Sequence, residues 1–365
     1  MHPFAGYLAE AFGEDVPVWE GDVDLTVVRS AMESAPAGLL LGCIPDSAGL
    51  NVAFRGSGIT VLENHHRPAR VAAPADFRVV ALMPTYNEAD IVRSTLQYLV
   101  AQGIEVYAID NWSTDGTFEI AREFLGRGLI GLERFPADGP LELYEWRSIL
   151  RRIESVAEEI AGADWFIFHD VDERRRSPWR ELDLKSAIYY ADRCGFTCID
   201  HIVLNFHPTD NRFDAGFDVE DQFRYFAFSD HEGHFHQRKA WKNPRCRVEL
   251  ASTAGHDIRF SGRLVYPYKF LLKHYPIRSQ AHGERKVFRD RAKRWSAEER
   301  ALGWHKQYDD VPTAASFLRD PASLLRFDQA TFYEQYLVER LSGIGIFQQA
   351  PWWSTGPRYN CADER

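Results

Sequence analysis

Residues 78–170 alternate between short apolar runs and segments with helical spacing, and this alternation restricts the fold more than any other feature of the chain. Four apolar runs, RVVALMP, IEVYAI, LIGLERF and WFIFH, are separated by three segments whose apolar side chains recur every three or four residues. The third segment carries such a stripe from Trp146 to Ile160. Continuous apolar runs of this length are typical of strands that are covered on both faces. The pattern therefore predicts an α/β fold with a mainly parallel, Rossmann-like sheet flanked by helices.

Polar loops follow three of the four predicted strands. They are PTYNE at 84–88, DNWSTDGT at 110–117 and HDVDE at 169–173. Ligands of such sheets bind beyond the carboxyl ends of the strands, so the three loops should lie close together. Asp170 and Asp172 are separated by one residue, and the alternation of an extended chain can let both carboxylates converge on one cation. A helix cap or a surface turn explains either aspartate alone equally well.

Composition limits the class of ligand. A formal net charge of −10 on 365 residues argues against nonspecific binding to nucleic acid or to an anionic membrane, so we expect a small-molecule ligand. No apolar run approaches the roughly 20 residues needed to cross a bilayer, and the N-terminal residues lack the pattern of a secretion signal. These features predict a cytoplasmic protein. The five cysteines show no CxxC spacing, which argues against a zinc knuckle or a disulfide framework.

The motifs PTYNE, DNWSTDGT and DVDE, in this order and at strand ends, resemble those of the family 2 glycosyltransferases, which share the glycosyltransferase A fold. The resemblance covers about residues 78–210, and the later GHDIRF and KHYPIRS are similar to a bacterial subgroup of the same family. It implies a metal-dependent enzyme that moves a sugar from a nucleotide diphosphate sugar to a hydroxyl acceptor, a glycan or a small molecule, with inversion. UDP is the default nucleotide on these grounds, and GDP and dTDP are alternatives.

The resemblance also assigns residues to the donor site. Asp110 would accept hydrogen bonds from the base, although it could instead cap the following helix. Asp170 and Asp172 would hold Mn²⁺ or Mg²⁺ against the diphosphate, with Asp170 also within reach of the ribose. His274 would complete the metal site, and an imidazole ligand favours Mn²⁺; His256 is the second choice. The residues assigned to the nucleotide are Pro84, Thr85, Tyr86, Asn87, Glu88, Asp110, Asn111, Ser113 and Asp170.

The catalytic base has competing candidates. An inverting transferase needs a carboxylate that takes the proton of the acceptor hydroxyl. Glu220 and Asp221, in VEDQFRY, resemble the family's Glu-Asp pair but follow the DVDE motif closely. Asp257, in GHDIRF, has the more usual spacing but no preceding acid, and we favour it slightly. Each of these acids could instead pair with a nearby arginine, Arg224 or Arg259.

Basic residues of the second half are further candidates. In RKAWKN, Lys239 or Lys242 could contact the diphosphate, and Trp241 could stack against an acceptor sugar. Arg278 and Lys286 could bind phosphate in the same way. A solvated basic turn is an equally simple explanation for each of them.

Three segments are expected: an N-terminal accessory segment at 1–76 with short strands, a glycosyltransferase A catalytic domain at 77–294, and a helical C-terminal extension at 295–365 that includes a helix over 313–341. Other enzyme classes fit less well, because a nucleotidyltransferase or a methyltransferase needs a glycine-rich turn after the first strand, where this chain has PTYNEAD. A non-catalytic module that binds a sugar nucleotide or a carbohydrate is the alternative outside enzymes. Intact Asp170 and Asp172 argue against it.

Overall fold

The computed structural model describes residues 38–41, 59–62, 71–229, 236–244, 246–291, 294, 296–302, 304, 311–312, 314–328 and 332. Two short strands precede the main sheet, β1 (Gly38–Leu41) and β2 (Ile59–Leu62), and they pair in parallel. Both lie in the N-terminal segment that was expected to contain short strands, and a third apolar run of that segment, NVAF at 51–54, lies outside the described residues. The boundaries expected near residues 76 and 294 stay predictions.

The alternating region forms the predicted parallel sheet. Its strands are β3 (Val79–Thr85), β4 (Glu105–Asp110), β5 (Leu129–Arg134) and β6 (Trp165–Phe168), in the spatial order β5-β4-β3-β6 with every neighbouring pair parallel. The connections contain α1 (Val92–Ala101), α2 (Thr117–Arg122) and α3 (Trp146–Glu159). The α/β prediction is confirmed.

The second half of the chain extends this sheet with strands of both directions. Its elements are β7 (Glu173–Arg176), α4 (Leu184–Arg193), β8 (Cys198–Phe206), α5 (Val219–Gln222), β9 (Tyr225–Phe228), β10 (Ala240–Lys242) and β11 (Val265–His274). Strand β10 runs antiparallel between β6 and β8, and β11 pairs in parallel with β8 and antiparallel with β7. The ends of β6 and β11 therefore reach the same region.

Both faces of the parallel sheet are covered, which explains its continuous apolar strands. In β3, Val80 and Leu82 face the core under α3, whereas Val79, Ala81 and Met83 face the core shared with α1 and α4. The apolar stripe predicted for the third helical segment is buried as expected. The sheet is thus held rigidly from both sides, and its strand ends are fixed points for the loops that follow.

The last described elements are α6 (Gln280–Glu284), which continues into a π-helix (Arg285–Arg291), α7 (Ala297–Ala301) and the strand β12 (Leu325–Arg326). The helix predicted over 313–341 is wrong for the described residues 314–328, where only a 3-10 turn at Pro321–Ser323 is helical. This segment instead pairs with β9, so backbone pairing at a sheet edge overrides its weak helical pattern. Across the described part of the chain, no helix has the length and apolarity needed to span a bilayer.

Candidate active site

Asp110, at the end of β4, joins the first two polar loops. It is fully buried, and its carboxylate accepts from the Thr85 hydroxyl at 3.0 Å and from the Ser113 amide at 2.9 Å. The Ser113 hydroxyl also donates to the Asp110 carboxylate, and the Ser113 hydroxyl oxygen accepts from the backbone amide of Asn87 at 3.0 Å. Burial raises the pKa of Asp110, against the hydrogen bonds from Ser113 and Thr85. The carboxylate therefore fixes loop geometry, and it does not cap α2, whose N-cap is Gly116.

The neighbouring residues of these loops are also held in place. Asn87 has a left-handed backbone with φ of 54°, which asparagine tolerates better than most residues, and its side chain accepts from the Thr114 amide at 2.9 Å. Asn111 donates to the Phe135 carbonyl at 2.9 Å. Pro84 pairs with Ile109 within the sheet. The ring of Tyr86 lies under the guanidinium of Arg294, 4.7 Å from the ring centre, and is half-buried.

The structure brings Asp172 and His274 together. The Nε2 atom of His274 lies 3.7 Å from Asp172 Oδ1, and its Nδ1 atom lies 2.9 Å from Asn205 Oδ1. Because the Asn205 oxygen only accepts, Nδ1 carries the proton and Nε2 keeps its lone pair on the side of Asp172. The register of β11, with His274 opposite both Glu173 and Asn205, sets this geometry. Asn205 was not foreseen, because it acts through a partner 69 residues away.

Two lysines neutralise the paired aspartates. Lys239 Nζ lies 2.8 Å from Asp170 Oδ2, and Lys286 Nζ lies 2.8 Å from Asp172 Oδ2. Lys286 also lies 3.1 Å from Glu88 Oε1, so one ammonium connects the PTYNE loop to the DVDE loop. Burial alone would raise the pKa of each aspartate, but Lys239 lowers that of Asp170 and Lys286 lowers that of Asp172. Both aspartates are therefore held as anions.

Arg278 forms a second connection at this edge of the sheet. Its guanidinium is fully buried and donates to Glu88 and to Asp90, at 2.8 Å from Asp90 Oδ1, and lies 2.8 Å from His282 Nε2. Burial would raise the pKa of Glu88, but Arg278 and Lys286 lower it to about 2. The ligand atoms of Glu88, Asp90 and His282 lie within 4.8 Å of one another, as in a metal site. Arg278 contacts all three, so these side chains surround a guanidinium in this structure.

Two basic-region predictions do not fit the structure. Strand β10 runs antiparallel to β6, so Lys242 lies opposite Trp165, the first residue of β6, at the sheet edge away from the aspartates. There its ammonium pairs with Asp192 at 2.8 Å, so Lys242 does not lie where the diphosphate is expected to bind. Trp241 is fully buried against Phe166, with ring centres 5.8 Å apart, and cannot stack on an acceptor. Lys239 is the residue of this segment that reaches the site.

The candidate bases differ in their surroundings. Glu220 lies between Arg176 and Lys273, and these charges outweigh burial and lower its pKa to about 2. Lys273 and His274 alternate along β11, so Glu220, which pairs with Lys273, lies on the other face of the sheet from His274. The two ion pairs engage this carboxylate, so Glu220 is the least favoured of the candidate bases.

The remaining two candidates are Asp257 and Asp221. Asp257 Oδ1 accepts from Arg263 at 2.6 Å and from Arg238 at 3.4 Å, and its Oδ2 atom lies 4.0 Å from Arg259 Nε. The expected pairing with Arg259 is thus its weakest contact. Asp221 lies on α5 with an exposed side chain.

His256, the second choice for a metal ligand, is held by Gln237. Gln237 Nε2 lies 2.9 Å from His256 Nδ1, and burial together with Lys239 lowers the pKa of His256 to about 4. The imidazole is therefore neutral near pH 7. Because an amide nitrogen donates, Nδ1 accepts, and the ring proton of His256 is on Nε2. In this tautomer neither nitrogen of His256 offers a free lone pair, so His274 is the better ligand.

Residues 80–134 match the family model described as glycosyl transferase family 2. Similar solved structures include S. aureus TarS, with 12% identity over 55% of this chain and 37% of that chain and a TM-score of 0.32. S. aureus TarS 1–349 in complex with UDP gives 12% identity over 58% and 62% of the two chains, with a TM-score of 0.33. Mannosyl-3-phosphoglycerate synthase from Rubrobacter xylanophilus gives 15% identity over 49% and 48%, with a TM-score of 0.26.

The chain spans less than two thirds of the length of each of these structures. No curated protein sequence matches it.

Proposed function

We propose that the chain is a family 2 glycosyltransferase, as the match of residues 80–134 supports, and that it moves a sugar from a UDP-sugar to a hydroxyl acceptor with inversion. One observation carries the proposal. The end of β11 delivers His274 to the DVDE loop, and Lys286 joins that same loop to the PTYNE loop. The loops expected to hold the nucleotide and the cation are therefore parts of one site.

The side chains present fit a divalent cation. Asp170, Asp172 and the Nε2 lone pair of His274 supply oxygen and imidazole ligands, a set that suits Mn²⁺ or Mg²⁺ and favours Mn²⁺. When bound, the cation would neutralise the negative charge that grows on the diphosphate as the glycosidic bond breaks. The hydrogen bond from His274 to Asn205 fixes the ring so that Nε2 faces the cation.

The remaining side chains position the donor. Asp110, Thr85 and Ser113 hold the loops against which the base and ribose would lie, and their mutual hydrogen bonds preorganise that surface before the donor arrives. Because Asp110, Thr85 and Ser113 are buried, water does not compete for the hydrogen bonds among them. The acceptor hydroxyl would give its proton to a carboxylate, for which Asp257 and Asp221 are the two candidates.

Titration calorimetry with UDP, GDP and dTDP, each with Mn²⁺ present, tests the proposal. We expect UDP to bind, and we expect Asp172→Asn to lose the Mn²⁺-dependent part of that affinity because one negative ligand is removed while the shape is kept. His274→Ala should weaken Mn²⁺ binding less than Asp172→Asn does. Asp192→Asn is the matched control, since Asp192 pairs with a lysine at the opposite sheet edge.

Two outcomes would reject the proposal. The nucleotide-sugar function is wrong if none of the three diphosphates binds. The assignment of the metal site is wrong if Asp172→Asn binds Mn²⁺ and UDP as tightly as the parent does. A thermal shift screen separates the non-catalytic alternative, because stabilisation by UDP only with Mn²⁺ favours a transferase.

A further inference from the structure

The two aspartates expected to bind the cation each already hold a buried ammonium group. The Lys239 and Lys286 side chains are 3% and 5% exposed, and each lies 2.8 Å from one aspartate oxygen. A cation that replaced them would enter a site where the carboxylate charge is already balanced.

Each lysine also contacts a second carboxylate, and that carboxylate has its own arginine. Lys239 lies 3.3 Å from Glu173 Oε1, while Glu173 pairs with Arg175 at 2.7 Å. Lys286 lies 3.1 Å from Glu88 Oε1, while Glu88 pairs with Arg278. Neither glutamate would be left unpaired if its lysine moved toward another anion.

The charges cannot all stay where they are when a metal binds. A divalent cation ligated by Asp170 and Asp172 would stand within a few ångströms of two ammonium groups, and like charges at that distance repel strongly in a site with little water. A diphosphate resolves the conflict, because its oxygens accept hydrogen bonds from ammonium groups and balance their charge.

We propose that Lys239 and Lys286 are built-in counter-cations that keep the metal out until the nucleotide diphosphate arrives. In the nucleotide-free protein they hold Asp170 and Asp172. When the donor binds, its phosphate oxygens take over the two ammonium groups, and the aspartates become available to the cation. The inference rests on the proposed function, and it adds that metal and nucleotide bind together rather than metal first.

The consequence is a pair of effects with opposite signs. Removing one ammonium charge should strengthen Mn²⁺ binding to the nucleotide-free protein, because a competitor is gone. The same change should weaken UDP binding with Mn²⁺ present, because a phosphate contact is lost. Since coupling between two ligands is reciprocal, the factor by which UDP improves Mn²⁺ affinity equals the factor by which Mn²⁺ improves UDP affinity, and this shared factor should fall.

The experiment uses Lys239→Gln and Lys286→Gln, which remove the charge but keep a hydrogen-bond donor for the aspartate. Free Mn²⁺ is followed by electron paramagnetic resonance without nucleotide and at saturating UDP, and the ratio of the two Mn²⁺ affinities is the coupling factor. UDP binding is measured by calorimetry at saturating Mn²⁺. We expect each variant to bind Mn²⁺ more tightly and UDP more weakly, with the coupling factor reduced about tenfold. Lys286→Arg keeps the charge, so its Mn²⁺ and UDP affinities should lie closer to those of the parent than the affinities of Lys286→Gln do.

Lys242→Gln is the matched control, because Lys242 also lies 2.8 Å from an aspartate but at the opposite sheet edge. It should change neither measurement. A structural role alone would weaken both ligands together, so a loss of Mn²⁺ affinity in both Gln variants overturns the inference. If the parent binds UDP with Mn²⁺ but the Gln variants keep the coupling factor of the parent, the inference is overturned and the proposed function stands. A parent that binds no UDP rejects the proposed function and this inference with it.

Discussion

The side chains around each candidate base decide which can take a proton. Glu220 is disfavoured by its ion pairs with Arg176 and Lys273, which the sequence could not reveal because these partners lie on the separate strands β7 and β11. Asp257 is engaged by two arginines through one oxygen, whereas Asp221 is exposed. An oxygen already engaged by two arginines is less accessible to an acceptor hydroxyl than the exposed carboxylate of Asp221. The surroundings therefore favour Asp221 over Asp257, the reverse of the preference from sequence spacing.

Asparagine variants at both positions test this order. Replacing the true base should lower turnover by about 10²- to 10⁴-fold while leaving UDP affinity nearly unchanged, because the base acts on the acceptor. We expect this separation for Asp221→Asn, measured as sugar transfer and, separately, as calorimetric UDP binding. Asp210→Asn, at an exposed ion pair, is the control. Full transfer by both base variants would leave the reaction without the base assigned to it, and would favour a retaining mechanism.

Strands and helices of the first half were predictable, and those of the second half were predictable only in part. The strands β3 to β6 follow from local apolar runs, and the apolar sequences of β8 and β11 are also typical of strands. The direction of β10 was not, since it depends on pairing with β6 and β8, and this direction removed Lys242 from the site and left Lys239 in it. The local sequence pattern predicts that a strand exists, whereas its pairing with strands distant in sequence sets its direction and the positions of its side chains.

One glycine supports the end of β6 and gives a test at this scale. Gly255 has φ of 89°, and a Cβ atom there would lie 2.8 Å from the Phe168 ring and 3.2 Å from Leu150. Phe168 is the last residue of β6, directly before the DVDE region. Gly255→Ala should therefore displace that ring and lower the free energy of unfolding.

The matched control is Gly262→Ala, because Gly262 also has a positive φ of 76° but has no atom within 4 Å of an added Cβ. Both variants carry the backbone cost, and Gly255→Ala alone carries the clash. We expect Gly255→Ala to cost about 1–3 kcal/mol more in urea unfolding. Equal losses for the two variants would show that the end of β6 tolerates movement.

The whole molecule should lose stability steadily in acid. Glu88 and Glu220 have pKa values lowered from 4.5 to about 2, so the stability they contribute is present above 4.5 and is lost as the pH falls through 2. His256 is half-buried, and partial burial together with Lys239 lowers its pKa from 6.5 to about 4, so it favours unfolding as the pH falls below 6.5. Both effects lower the free energy of unfolding as the pH falls.

Urea unfolding of the metal-free protein from pH 7.5 to 3 measures this. The unfolding midpoint should begin to fall below about pH 6.5 and should fall faster below about pH 4.5, following the ordinary histidine and glutamate values. Glu220→Gln should flatten the lower part of the curve, since one of the two glutamates is removed. A midpoint that is constant down to pH 4 would contradict the assignment of these buried groups.

The contacts of Arg278 join an early segment of the chain to a late one. Its partners Asp90 and Glu88 are 188 and 190 residues away along the chain, so this contact closes one of the longest loops in the described structure. When a growing chain has been synthesised as far as β6, all four parallel strands β3 to β6 are present. The two cationic partners of Glu88, Arg278 and Lys286, are not yet present. The early sheet can therefore form first, and the late segment from Arg278 to Lys286 completes the site when it arrives.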